Sequence, residues 1–139
     1  MISILVIAHE PLASALVCAA QHVYSRDPCA ASAQLAGLDV APASDPEAVL
    51  AQARALVAHA DRGQGVLVLT DLAGATPGNV AARLADPGHV QVVAGVNMPM
   101  LLRALCYGAQ GLEAVAQKAA AGGTAGVQAL GATAGPSTP

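Results

Sequence analysis

The chain contains no tryptophan, no phenylalanine and only two tyrosines in 139 residues. It therefore lacks the aromatic faces on which a flavin or nucleobase stacks, which disfavours a flavodoxin-like small-ligand binder. The core must be built from Val, Leu, Ile and abundant Ala, whose small side chains let helices approach closely. Basic residues are also scarce: five arginines and Lys118, the single lysine, are scattered through a chain of net charge -3. No cluster of Lys and Arg is available to neutralise a phosphate backbone, which argues against nucleic acid as a partner. No apolar stretch approaches the ~18 residues of a membrane span. The N-terminus lacks the basic region that precedes a secretory signal core, so a soluble, cytoplasmic protein is expected, with no insertion into a membrane. The three cysteines, Cys18, Cys29 and Cys106, are odd in number and form no CxxC pair. Neither a zinc site nor a disulfide framework is indicated, and buried free thiols are expected. The nucleotide loop GxxxxGK[ST] is absent, and the residues imply neither metal nor cofactor.

The most prominent feature present is the N-terminal stretch MISILVIAHEPL, an apolar run from Ile2 to Ala8 that stops at His9 and continues into Glu10-Pro11. A short β-branched run ending at a helix-start signal has the pattern of a buried parallel strand. Pro11 suits a first helical turn, and Leu12, Leu16, Ala19, Ala20 and Val23 recur at helical spacing up to Tyr24. After turn residues from Ser25 to Cys29, the segment Ala33 to Val40 is expected as an edge strand weakened by Gly37. Ser44 or Asp45 then caps a helix with Pro46 and Glu47 in its first turn, where the helix dipole favours a carboxylate. Val66 to Thr70 is the strongest strand after the first, and Asp71 stands at its carboxyl end.

The next stretch, DLAGATPGN from Asp71 to Asn79, combines Gly74, which permits a backbone conformation closed to other residues, with Thr76 as expected N-cap. Pro77 fits the first position of a helix to Leu84. Val90 to Val96 is a further strand, Asn97 to Met100 leads into a helix to about Tyr107, and a last helix runs from Leu112 to Ala121. Gly122-Gly123 is expected to cap it, Ala125 to Leu130 to form one short strand, and residues 131–139 to be a flexible tail. Alternating strands and helices predict one α/β domain over residues 1–130. Its open, mostly parallel sheet has order 2-1-3-4, helices on both faces and right-handed crossovers.

In that order strands one and three flank the topological switch point, and they end at His9 and Asp71. A carboxylate accepting from one imidazole nitrogen fixes the tautomer, leaves the other nitrogen free to attack, and stabilises the positive charge that develops. The amides of Ala75 and Thr76 at the start of the Pro77 helix suit an anion such as a phosphoryl group. Together these features suggest phosphoryl transfer through a phosphohistidine, with another phosphoprotein as donor. His22, His59 and His89 have no carboxylate at useful spacing and are expected at the surface; Met98 and Met100 are expected to pack.

Three segments carry a family resemblance: the strand ending in His9, GVLVLTDLAGATPGN from Gly65 to Asn79, and AGVNMPML from Ala94 to Leu101. In that order they resemble the enzyme IIA component of the mannose family of the phosphoenolpyruvate-dependent sugar phosphotransferase system, over nearly the whole chain. The resemblance implies that His9 takes phosphate from the phosphocarrier protein HPr and passes it to a IIB component. It also implies that Asp71 orients His9, that Gly74, Ala75 and Thr76 line the phosphate pocket, and that Asn97 lies in a loop at the mouth of the site. It further implies a homodimer in which the short C-terminal strand, Val127 to Leu130, joins the partner's sheet antiparallel.

The chain departs from the pattern after the histidine, where the family commonly has Gly and this sequence has Glu10. Glu10 is expected to face outward and meet basic residues on the donor. No IIB domain follows the tail ending at Pro139, so a free-standing IIA is expected. A regulatory module that signals phosphorylation state through partner binding shares the same residues. The phosphocarrier domain that serves dihydroxyacetone kinase is a related reading, against which the GATPGN turn and VNMPML segment favour the sugar-transport type.

Overall fold

A computed structural model describes residues 1–26 and 34–131. Cys29 and residues 132–139 of the expected tail lie outside the described residues. The element order is β1 (Ser3–His9), α1 (Leu12–Val23), β2 (Gln34–Val40), α2 (Pro46–Ala60), β3 (Val66–Thr70), α3 (Thr76–Ala82), β4 (Val90–Ala94), α4 (Met98–Cys106), a 3-10 turn (Gly108–Gln110) and α5 (Leu112–Ala125). The four strands form one sheet in the order β2-β1-β3-β4, with every neighbouring pair parallel. This is the predicted α/β architecture.

Alternation along the two central strands divides the core into two layers. Ile4, Val6 and Ala8 of β1 and Leu67 and Leu69 of β3 pack beneath α1, α4 and α5. Leu5, Ile7, Val66 and Val68 pack on the opposite face beneath α2 and α3. Both strands are buried on both faces, which is why they read as continuous apolar runs. Each fully buried Val, Leu or Ile contributes roughly 1.5–3 kcal/mol, so these central strands anchor the fold and hold their carboxyl ends in register. Asp45 caps α2 by accepting from the Glu47 amide at 3.3 Å, as predicted.

Several boundaries differ from expectation for identifiable reasons. Helix α5 does not stop at Ala121 but continues through Gly122 and Gly123 to Ala125. These glycines permit close packing: a Cβ at Gly123 would stand 2.7 Å from Met100 Cε, and one at Gly122 3.0 Å from Arg103 Cβ. Val127 to Leu130 form no strand within the chain, and Val127 and Leu130 are exposed. The expected short antiparallel strand is thus not part of this sheet, whose β4 edge carries no partner strand among the described residues. Strand β4 ends at Ala94, two residues early, although the Val96 amide still donates to the Thr70 carbonyl. Cys18 and Cys106 are exposed, contrary to the expectation of buried thiols, because α1 and α4 turn Ala13, Leu16, Ala20, Leu101, Ala104 and Leu105 inward instead. Among the described residues no helix is long and apolar enough to cross a membrane.

Candidate functional site

The parallel register pairs Ile7 with Thr70, so β1 and β3 deliver His9 and Asp71 side by side at the carboxyl edge of the sheet. His9 Nδ1 lies 2.7 Å from Asp71 Oδ2, and the same oxygen accepts from the His9 backbone amide at 3.0 Å. With the carboxylate as acceptor, Nδ1 is the donor, and in the neutral ring Nε2 then keeps its lone pair. The imidazole is half exposed (50%) while Asp71 is largely covered (12%), so the orienting group is sheltered and the ring faces solvent. Burial pushes the Asp71 carboxyl up, but hydrogen bonds from the His9 ring and amide, with the electrostatic attraction of the His9 side chain, outweigh it and hold the carboxyl below its ordinary range. Asp71 Oδ1 and Thr70 Oγ1 are buried without a hydrogen-bond partner among the described residues. Unpaired buried polar atoms cost about 1–3 kcal/mol each.

The turn after His9 is fixed from the other flank. Glu10 N donates to the Val40 carbonyl at 3.0 Å, while Glu10 itself is exposed. Pro11 sits at the N-cap of α1 rather than inside it and supplies no side-chain cap. Asp39, penultimate in β2, does so instead, its Oδ1 accepting from the Ser14 amide at 3.0 Å. The Ser14 side chain, opposed by burial and aided by the Ser14 and Ala13 amides, holds the Asp39 carboxyl below its ordinary range.

The loop after Asp71 turns at Gly74, whose φ of +89° suits glycine. The N-cap of α3 is Ala75, in extended conformation and without a side-chain hydrogen bond, and Thr76 is the first helical residue instead of the expected cap. Gly78 is indispensable to this loop, since a Cβ there would stand 2.2 Å from the Leu72 carbonyl oxygen. Asn79 Nδ2 reaches back to the Gly74 carbonyl at 3.4 Å.

Asn97 caps α4, its Oδ1 accepting from the Met100 amide at 2.9 Å while its Nδ2 donates to the Gly123 carbonyl at 3.0 Å. Its side chain is therefore engaged between α4 and α5. His22, His59 and His89 are exposed, as anticipated, and Met100 is buried in the core. Among the described residues no three His, Cys, Asp or Glu side chains are grouped so as to hold a metal ion.

Sequence reasoning missed Asp39 and the exposed apolar residues beside the site, Leu12 (38% exposed) and Leu72 (59%). Asp39 carries no motif of its own; only the pairing of Ala8 with Asp39 across β1 and β2 places it at this turn. Leu12 and Leu72 directly follow Pro11 and Asp71, and their adjacency to the site residues was the available signal.

Fold and site define a parallel α/β domain that presents a carboxylate-oriented histidine at its switch point. Residues 3–121 match the family model described as the fructose IIA component of the sugar phosphotransferase system (PTS), of the mannose type. Over 69 residues, 49% of this chain, the sequence is 39% identical to the mannose-specific EIIAB component of Escherichia coli K12; that match spans 21% of the relative's length. The fold is similar to the EIIA component from Streptococcus agalactiae (TM-score 0.78, 21% identity, 93% of this chain and 97% of that one). It is also similar to the mannose/sorbose-specific IIA subunit from Enterococcus faecalis (TM-score 0.77, 23% identity, 94% and 95% covered). The chain belongs to the mannose-type IIA family of the sugar phosphotransferase system.

Proposed function

We propose that the chain is a phosphoryl carrier of that system, which accepts a phosphoryl group on His9 Nε2 from phospho-HPr and delivers it to a IIB component. The observation that carries this reading is the 2.7 Å contact between Nδ1 and Asp71 Oδ2 beside a half-exposed ring. In the forward step the Nε2 lone pair attacks phosphorus as the donor's P–N bond breaks, and the electron pair returns to the donor's imidazole. The His9 ring becomes positive, and Asp71 stabilises that charge. Transfer to IIB is the same displacement with His9 as leaving group.

Two helix N-termini flank the switch point, and they are not equivalent. The first-turn amide of Ser14 in α1 is already bound to Asp39, whereas α3 begins without a side-chain cap. This favours the Gly74-Ala75-Thr76 turn as the phosphoryl pocket, with the Thr76 amide and hydroxyl as donors, joined by the Ala75 amide, which reaches the Leu72 carbonyl only at 3.5 Å. Leu12 and Leu72 give the donor and acceptor an apolar contact beside His9, and exposed Glu10 meets basic residues on the donor. Asn97 fixes the neighbouring loop by holding the start of α4. The chain acts as a homodimer in the cytoplasm, with the Val127 to Leu130 segment of each subunit added to the partner's β4 edge.

The test is a relay experiment with labelled phosphoenolpyruvate, enzyme I, HPr, this chain and a mannose-type IIB domain. Label is expected on the chain only when HPr is present, and then on IIB. A folded chain that takes no label, or takes it equally without HPr, contradicts the proposal.

A further inference from the structure

The segment that bears His9 is short, and its conformation is set by what holds the two strands beside it. On the β3 side Asp71 binds the His9 amide and ring. On the β2 side two contacts act together: the Val40 carbonyl accepts from Glu10 N at 3.0 Å, and Asp39 Oδ1 accepts from Ser14 N at 3.0 Å. The pairings Ala8 with Asp39 and His9 with Val40 place both contacts level with the histidine. Helix α1 needs this help, because Pro11 at its N-cap has no side-chain hydrogen bond and its first turn contains no acidic residue. Ser14 Oγ also lies within hydrogen-bond distance of the Pro11 carbonyl, at 3.1 Å.

We infer that Asp39 is a positioning residue for His9: by anchoring the first turn of α1 to β2 it fixes the His9-to-Leu12 turn, and so keeps the imidazole in register with Asp71. Asp39 touches no reacting atom in this account and acts through the backbone of residues 9–14. A hydrogen bond to an ionised acceptor is stronger than one between neutral groups, so a carboxylate holds the turn more firmly than an amide would. Small displacements matter for transfer, since a misplacement of about 1 Å can lower a rate by about 100-fold. The part of this inference that concerns transfer rests on the proposed function; the part that concerns the His9 ring does not.

The test compares the wild type with Asp39→Ala and Asp39→Asn by two readouts. Imidazole 15N shifts report which His9 nitrogen bears the proton, and initial rates with phospho-HPr separate maximal rate from half-saturating donor concentration. Asp39→Ala is expected to move the two ring nitrogens from a single Nδ1-H pattern toward averaged values. It is also expected to lower the maximal transfer rate at least about tenfold with the half-saturating concentration unchanged. Asp39→Asn, which retains an acceptor oxygen, is expected to fall between the two. Wild-type shifts in the folded alanine variant would overturn the inference, and so would an asparagine variant as impaired as alanine. If the alanine variant does not fold, Asp39→Asn is read alone, and wild-type nitrogen shifts together with a wild-type transfer rate in it would overturn the inference. A wild type that accepts no phosphate contradicts the carrier role, while the nitrogen shifts still decide the role of Asp39.

Discussion

At the scale of residues, the site depends on one carboxylate oxygen accepting twice from one histidine, from its ring and from its amide. Substituting Asp71 by Asn keeps the shape but offers a neutral oxygen, and the amide can rotate to present its NH2 group instead. Transfer to His9 is expected to fall by about 100-fold or more, as for other positioned acid–base partners. The same variant reports on stability. Because the folded-state carboxyl titrates below its unfolded value, its contribution is present above the ordinary carboxyl range and is lost as pH falls through the folded value. Melting temperatures of wild type and Asp71→Asn are therefore expected to differ at pH 6 and to converge as acid protonates Asp71; a gap that widens in acid would contradict this. His9 and Asp71 were legible because each ends a strongly apolar strand. Asp39 was not, because its role comes from cross-strand register and not from its neighbours in sequence. Thr76 was misplaced by one position for a similar reason: extended Ala75 occupies the cap, and the tight passage of Gly78 over the Leu72 carbonyl fixes where the helix begins.

At the scale of elements, the two buried strands carry the positional accuracy of the site, while β4 and the segment after α5 lie at the sheet's open edge and beyond the last helix. β4 presents an unpaired edge among the described residues, and beyond α5 the apolar Val127 and Leu130 project into solvent. Exposed edges and exposed apolar residues are both liabilities that pairing relieves. If they meet across two copies, sedimentation of the protein gives twice 13.6 kDa. Replacing Val127 and Leu130 together by Asp is expected to lower the mass to that of one chain while leaving the ring tautomer of His9 intact. A wild type that sediments as a single chain at micromolar concentration contradicts the exchanged-strand dimer. Periodicity could locate the apolar segment but could not show that it leaves this sheet's edge unpaired. Nor could it distinguish glycines that end a helix from those that admit a neighbour, which is why Gly122 and Gly123 suggested a cap. Gly37 weakened the reading of β2 in the same way, although α1 crosses there so closely that a Cβ would stand 3.2 Å from the Ala13 carbonyl.

At the scale of the whole molecule, a small aromatic-poor core supports one carboxylate-paired histidine at one edge of the sheet. The central claim is that phosphate resides on His9, and intact-mass analysis under conditions that preserve acid-labile phosphate tests it most directly. After incubation with phosphoenolpyruvate, enzyme I and HPr, the wild type is predicted to gain one phosphoryl group and folded His9→Ala none. Equal phosphorylation of the two proteins, or none in a well-folded wild type, would contradict the account.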